Sequence, residues 1–128
     1  MGNKKNIIST EKAPAAVGAY SQGVEWDGVV YFSGQIGLDP ATTKLRPGFT
    51  EQLGQILKNI DALLECQQLK REDIIKTTIF MTDLKDFAAV NQAYESYFTA
   101  PFPARSCVQV SALPKGAEIE IEVIAVKK

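Results

Sequence analysis

The chain has 128 residues, with 14 basic and 15 acidic side chains and a formal net charge of −1. That length predicts one domain with a buried core, and the near-neutral charge argues against nucleic-acid binding over a broad basic surface. The sequence contains no histidine, which excludes Ser-His and Cys-His nucleophile pairs and the HExxH zinc site. Acid–base chemistry therefore falls to Glu, Asp, Cys, Tyr or Lys.

The two cysteines, Cys66 and Cys107, lie far apart in the sequence. Their spacing matches neither a zinc site nor a disulfide framework, and it favours a reducing compartment. No stretch is apolar for the length of a membrane helix, and the N-terminus lacks the apolar run of a signal peptide. We therefore expect a cytoplasmic protein that needs no metal or other cofactor and binds neither membrane nor nucleic acid.

The first quarter of the chain predicts a strand, a loop and a hairpin. Residues 6–9 are expected to form a short strand, and the Pro and Gly residues of 13–18 favour an ordered loop over a helix. Asp27-Gly28 stands between two apolar runs, 24–26 and 29–32, which is a strong short-range signal for a β-hairpin.

Small residues end the second arm of this hairpin, at Ser33-Gly34-Gln35-Ile36-Gly37. A glycine after a buried strand lets a ligand or another chain approach the backbone closely. The Gly34-x-x-Gly37 spacing also resembles nucleotide and nucleic-acid loops. A dinucleotide fingerprint needs a third glycine and a following helix, and a KH-type loop joins two helices. This loop follows a strand and carries no positive charge, so both interpretations are rejected.

A helix and a strand are predicted in the middle of the chain. Apolar residues recur every three or four positions from Phe49 to Leu64, which indicates one apolar helical face. Cys66 is expected at the end of this helix as a small core or boundary residue. Residues 74–81 are rich in β-branched side chains that alternate with others, as in a strand.

A second helix is expected to follow the N-cap residue Asp83 and to run through about Phe98. Its apolar stripe includes Tyr94, and Asn91 lies beside that stripe. An amide at this position is either exposed to water on the helix flank or held towards a pocket. Taken alone, the exposed position is the commoner of the two.

The C-terminal segments 103–110 and 118–123 predict two strands with chemically active faces. Side chains alternate across a strand, so each strand has a face on which residues at every second position lie together. These faces carry Arg105, Cys107 and Gln109 on the first strand, and Glu118, Glu120 and Glu122 on the second. If the strands are neighbours, a guanidinium and carboxylates meet on one side of a sheet, where they can bind a small carboxylic acid and activate water. The alternative is a solvated sheet face with an ordinary cross-strand ion pair.

The predicted order is strands, helix, strand, helix and two strands, with no repeat or linker. Two amphipathic helices cover only one face of such a sheet. The other face is then either solvated or buried by another subunit, so we expect an oligomer.

Several motifs resemble the RidA/YjgF/UK114 family, and the match runs nearly end to end. The motifs are residues 13–22 (APAAVGAYSQ), 33–36 (SGQI), 87–91 (FAAVN), 103–108 (PARSCV) and 119–122 (IEIE). The resemblance implies a chorismate-mutase-like α+β fold over residues 1–128, with a mixed sheet and two helices packed on one face. It also implies a homotrimer with clefts between subunits. The implied activity is hydrolysis of 2-imino acids, such as 2-iminobutanoate and 2-iminopropanoate, to 2-oxo acids and ammonia.

The same resemblance assigns roles to individual residues. Arg105 corresponds to the arginine that binds the substrate carboxylate, for which a planar guanidinium is well suited. Glu120 corresponds to the carboxylate that positions or deprotonates water, and beside Arg105 it is expected to stay ionised. Cys107 is expected to contact substrate rather than attack it, with a pKa that Arg105 lowers. The implied site comprises Glu120, Tyr20 and Cys107 as catalytic residues, and Arg105, Ser33, Gly34 and Asn91 as substrate-binding residues.

Two other functions stay open on the sequence alone. A regulatory protein that binds 2-oxo acids or amino acids without turnover would keep the same pocket. Ribonuclease activity or translation inhibition is described for some members of the family. The near-neutral charge and the absence of histidine count against cleavage of RNA.

Overall fold

A six-stranded mixed sheet and two α-helices form the part of the chain that the computed structural model describes, residues 4–128. The strands are β1 Asn6–Ile8, β2 Gly23–Trp26, β3 Val29–Phe32, β4 Ile74–Met81, β5 Ala104–Gln109 and β6 Ile119–Val126. The helices are α1 Phe49–Cys66 and α2 Phe87–Tyr97. The predicted α+β class, with a mixed sheet and two helices, is confirmed. None of the helices in these residues is long and apolar enough to cross a membrane.

The structure changes two details of the predicted helices. Asp83 caps a short 3-10 turn, Leu84–Asp86, in which its Oδ1 accepts a hydrogen bond from the Lys85 amide at 2.9 Å. The helix α2 therefore begins one turn later than the cap suggested. Cys66 is exposed at the end of α1, so its interpretation as a core or boundary residue is wrong. Amphipathic periodicity weakens at a helix end, where the last residues leave the packed face.

The strands are arranged in the order β1-β2-β3-β6-β4-β5. Pairing is parallel between β4 and β5 and antiparallel between β4 and β6. The neighbour relation considered for β5 and β6 is therefore wrong, because β4 lies between them. A parallel pair needs a crossover connection, and α2 provides it between β4 and β5. That crossover places β5 at the edge of the sheet.

One hydrophobic core lies between the helices and one face of the sheet. Its members include Val30, Phe32, Ile79, Met81, Ile119, Ile121 and Val123 from the strands, Leu53, Ile56, Ile60, Leu63 and Leu64 from α1, and Val90, Tyr94 and Tyr97 from α2. We call this side of the sheet the helix face and the other side the open face. On the open face, Trp26, Tyr31 and Val108 remain 43, 47 and 43 % exposed. Neither helix covers these side chains, so the open face is available for contact with another subunit.

The exposed Gly54 in the middle of α1 offers a test of the helix. A Cβ added there would meet no atom within 4 Å, and the glycine lies in the interior of an 18-residue helix. Because glycine in a helix is less favourable than alanine by about 0.5–1 kcal/mol, we expect Gly54→Ala to raise the Tm by a few degrees. Thermal unfolding followed by circular dichroism measures this change. A lower Tm would show that this helix surface packs against another subunit.

Candidate functional site

Four of the predicted site residues line one cavity on the open face of the sheet. The cavity has a volume of about 450 Å³ and is lined by Tyr20, Ser33, Gly34 and Glu120. Further walls come from the loop after β3 and from the turn before β6, which the hydrogen bonds of the sheet bring together. The apolar side chains at its edge are Val17, Ile36, Leu38 and Pro114. A carboxylate therefore lies in a mostly apolar recess of a size that suits a small metabolite.

The Glu120 carboxylate packs directly against the backbone of Gly34. A Cβ added to Gly34 would overlap Glu120 Oε2 and would lie 2.9 Å from Cδ. This contact arises because Gln35 and Ile121 exchange two backbone hydrogen bonds, of 2.8 and 3.0 Å, which join the loop after β3 to β6. The glycine predicted to admit a ligand thus makes room first for a side chain of the same chain.

The environment of Glu120 favours the protonated carboxyl group. Burial raises the pKa of Glu120, and the nearby Glu122 carboxylate raises it further. The expectation that Arg105 keeps Glu120 ionised is wrong within the chain. The local pattern could not reveal this, since the two residues lie on different strands and on different faces.

Because the pKa of Glu120 is raised, its ionised form at neutral pH lowers the stability of the fold. A carboxyl whose folded pKa exceeds its unfolded value stabilises the fold fully below the unfolded pKa, and this contribution is lost as the pH rises through the folded pKa. We therefore expect Glu120→Gln to have a higher Tm than the native chain at pH 8. The difference should shrink towards pH 4, near the ordinary glutamate pKa of about 4.3. Parallel thermal melts across this range measure it, and a Tm difference that does not change with pH would contradict the prediction.

The register of the sheet separates Arg105 from Glu120. Thr77 of β4 pairs with both Arg105 and Val123, whereas Phe80 pairs with both Val108 and Glu120. Paired residues on neighbouring strands point to the same side of a sheet. Arg105 therefore lies on the helix face and Glu120 on the open face. A single chain does not bring the two predicted key residues together.

Arg105 is held by side chains of α2. Its Nη1 donates a hydrogen bond to Asn91 Oδ1 at 2.6 Å, and its guanidinium carbon lies 5.2 Å from the Phe87 ring centroid and 5.5 Å from that of Tyr94. Among residues 4–128, no carboxylate forms an ion pair with it. The second alternative for Asn91, an amide held towards a pocket, is the one that the structure supports, because Asn91 and Arg105 line the same groove. The guanidinium is thus oriented, yet free of a charged partner.

Cys107 points towards the core beside Arg105. The thiol is partly buried and lies 3.6 Å from Met81 Sδ. Burial raises the pKa of Cys107, and the Arg105 charge only opposes that effect. The expected lowering of its pKa is therefore wrong. A thiol that stays protonated is a poor nucleophile, which agrees with the expectation that Cys107 does not attack the substrate. A contact between Cys107 and substrate stays a prediction.

Ser33 uses its hydroxyl to hold the neighbouring loop. Its Oγ donates a hydrogen bond to the Ser21 carbonyl at 2.6 Å, and its backbone amide donates to the Gln22 carbonyl at 2.9 Å. These bonds fix the chain immediately after Tyr20, whose side chain is 53 % exposed. A substrate contact of Ser33 stays a prediction, and its observed bonds position Tyr20.

Sequence reasoning missed a set of buried amides that shape the cavity. Gln52 of α1 accepts a hydrogen bond from the Glu118 amide at 2.8 Å, and Asn59 donates one to the Leu38 carbonyl at 3.0 Å. The first bond fixes the start of β6, and the second fixes the loop that forms the cavity wall. A signal was present, because Gln52, Gln55 and Asn59 interrupt the apolar face of α1 and are buried.

The chain is similar to known proteins over nearly its whole length. Residues 10–127 match the sequence profile of the family described as Endoribonuclease L-PSP. A RutC family protein of Aquifex aeolicus is 54% identical over 122 residues, which are 94% of this chain and 98% of that protein. The 2-iminobutanoate/2-iminopropanoate deaminase of Salmonella typhimurium is 52% identical over 124 residues, with 94% and 97% covered. The crystal structure of RidA from the Antarctic bacterium Psychrobacter sp. superposes with a TM-score of 0.92 at 47% identity and covers 94% of this chain and 98% of its own.

Proposed function

The chain belongs to the Endoribonuclease L-PSP family, also called RidA/YjgF, and from that membership we propose that it hydrolyses 2-imino acids at a site shared between two subunits. The reaction is that of a 2-iminobutanoate/2-iminopropanoate deaminase, in which an imine and water give a 2-oxo acid and ammonia. The proposed activity rests on the 52% sequence identity to a deaminase over 94% of this chain. We place the reaction in the cytoplasm, where pyridoxal-phosphate dehydratases release such imines from threonine and serine.

The opposite faces of Arg105 and Glu120 support a shared site. In a 2-imino acid the carboxylate is bonded directly to the imine carbon, so the groups that bind carboxylate and water must lie within a few ångströms of each other. The thickness of the sheet separates the two side chains in one chain. Arg105 is exposed on the edge strand β5, where it can enter the Glu120 cavity of a neighbouring copy.

The same geometry favours a ring over a two-fold dimer. Each subunit offers one half-site with Arg105 and a different half-site with Glu120, and these lie on opposite sides of the sheet. A head-to-tail contact joins two different surfaces and closes into a ring when the rotation between neighbours divides a full turn, whereas a two-fold contact uses one surface twice. We propose the homotrimer that the family resemblance implies. The exposed apolar residues of the open face are then buried between its subunits.

In the proposed reaction the protein orients water and balances charge. Arg105 binds the substrate carboxylate with two parallel hydrogen bonds, and its contacts with Asn91 and Phe87 hold the fork in place. Ionised Glu120 accepts one proton from water as the water oxygen bonds to the imine carbon. That proton passes to the nitrogen and gives a carbinolamine, which carries a hydroxyl and an amino group on the former imine carbon. A second proton then moves from this hydroxyl to the nitrogen through Glu120, the C=O bond of the 2-oxo acid forms as the C–N bond breaks, and ammonia leaves. Because an imine is already electrophilic, orientation of the water supplies much of the rate, and the raised pKa of Glu120 makes it the stronger base.

The activity is tested with an imine made in situ. A threonine dehydratase releases 2-iminobutanoate, and semicarbazide captures free imine in competition with the enzyme. We expect wild-type protein to accelerate ammonia release and to reduce semicarbazone formation. A folded oligomer that binds 2-oxo acids and leaves both rates unchanged would instead support the non-catalytic regulatory protein. If a variant that lacks both Arg105 and Glu120 still cleaves RNA, that cleavage comes from a contaminant or from another site.

The shared site predicts complementation between two inactive variants. Arg105→Ala and Glu120→Gln chains co-expressed in equal amounts assemble at random. About a quarter of all interfaces in the mixture, and one of the three interfaces in each mixed trimer, then join an intact Arg105 to an intact Glu120. We therefore expect about a quarter of the wild-type activity from the mixture and almost none from either variant alone. Differently tagged chains purified through both tags identify the mixed species. Mixed rings without activity would show that both residues must belong to one chain.

A further inference from the structure

The side chain of Gln22 is buried immediately before β2 and has no role in the proposed chemistry. It is 5 % exposed, and its Oε1 accepts a hydrogen bond from the Thr10 amide at 2.6 Å. Its Nε2 donates to the carbonyls of Pro14 at 2.8 Å, Thr10 at 2.9 Å and Ala13 at 3.3 Å. One amide thus binds the backbone of the irregular segment 10–14 and satisfies its own polar atoms there.

That segment leads directly into one wall of the Glu120 cavity. We call residues 14–20 the Tyr20 arm, of which Pro14, Val17 and Tyr20 line the cavity. The side chains of Val17 and Tyr20 are 75 and 53 % exposed, so packing within the chain holds them little. The arm is instead held at its two ends, by Gln22 at Pro14 and by the Ser33 hydroxyl at the Ser21 carbonyl.

We propose that Gln22 is a positioning residue that fixes the Tyr20 arm opposite Glu120 and thereby sets the width of the cavity. Its amide is suited to this task because it accepts one hydrogen bond and donates to carbonyls on the same segment. A glutamate of equal size keeps the acceptor and loses both donors, so its carboxylate oxygen would face carbonyl oxygens at about the same distances. The kinetic consequence rests on the proposed deaminase function, whereas the structural consequence does not.

The structural consequence is tested by hydrogen exchange in the intact oligomer. In Gln22→Met, we expect exchange of peptides covering residues 10–20 to accelerate at least tenfold, with β4 and β6 unchanged. Gln55→Met is the matched control, because Gln55 is another buried amide, 7 % exposed, whose hydrogen bonds lie within α1 and to Arg46. Unchanged exchange at 10–20, or equal acceleration in both variants, would overturn the proposal.

The kinetic consequence is tested with a double-mutant cycle. If Gln22 acts by placing the arm, we expect Gln22→Met to raise the KM for 2-iminobutanoate at least tenfold and Tyr20→Ala to cost much less in that background than in the native chain. Additive effects of the two substitutions would contradict this and would leave Gln22 a general stabilising residue. If the wild-type protein shows no hydrolysis, the deaminase function is refuted. The hydrogen-exchange experiment alone then decides the role of Gln22.

Gln22→Glu provides a second variant if Gln22→Met does not fold. A protonated glutamic acid recovers one hydrogen-bond donor. We therefore compare hydrogen exchange at residues 10–20 in Gln22→Glu with that in the native chain at the same pH, and we expect this ratio of rates to fall as the pH falls from 7.5 to 5. A ratio that does not change with pH would contradict the assignment of the amide hydrogens to these carbonyls.

Discussion

Arg105→Ala is expected to lower kcat/KM for 2-iminobutanoate by at least about a hundredfold. Two hydrogen bonds from guanidinium to carboxylate contribute roughly 1.5–3 kcal/mol each, and each 1.4 kcal/mol corresponds to a factor of ten. Arg105 is exposed on an edge strand, so the fold and oligomer should survive its loss. Steady-state ammonia release and size-exclusion chromatography measure the two effects separately.

Two further substitutions separate charge from geometry at Arg105. Arg105→Lys keeps the charge but not the planar fork, and we expect it to recover only part of the lost activity. Asn91→Ala removes the acceptor that lies 2.6 Å from Arg105 Nη1. Because this contact is neutral and only orients the guanidinium, we expect kcat/KM to fall by only about tenfold. Full activity of Arg105→Ala would refute the proposed carboxylate site.

Gly34→Ala is expected to abolish most of the activity with little change in Tm. The new Cβ would overlap the end of the Glu120 side chain, which can rotate away without moving backbone. In the proposed mechanism, displacement of Glu120 removes the group that orients water, and misplacement by about 1 Å can cost a hundredfold in rate. We therefore expect kcat to fall by about a hundredfold in a folded, oligomeric protein.

Two other glycines provide matched controls for this substitution. Gly54→Ala adds the same methyl group where no atom lies within 4 Å, and its activity should be unchanged. Gly37→Ala would place Cβ 2.6 Å from Gln52 Cα and 2.8 Å from its carbonyl oxygen, so it should lower Tm instead. Because Gly34 acts through Glu120, we expect Gly34→Ala to cost little more in a Glu120→Gln background. A full additional loss there would show an independent role for the Gly34 backbone.

Local patterns in the sequence predicted the elements that depend on near neighbours. Asp27-Gly28 forms the hairpin between β2 and β3 with positive φ at both residues, 52° and 85°, which is the conformation that the dipeptide favours. The helix α1 and the strand β4 follow from periodicities of about three and a half and two residues. The family motifs at residues 13–22 and 103–108 then led to the fold, since a nearly end-to-end resemblance carries long-range information that spacing lacks.

The sequence also determined which of the predicted site residues share a face of their own strand, because alternation is a property of one strand alone. Only the tertiary structure decided that β4 separates β5 from β6, since the crossover through α2 sets which strands become neighbours. That order and its register placed Arg105 and Glu120 on opposite faces. Burial, which no local pattern contains, reversed the expected pKa shift of Cys107 and raised the pKa of Glu120. Within one chain Arg105 and Glu120 are held apart, and the shared site that we propose joins them through a contact between copies.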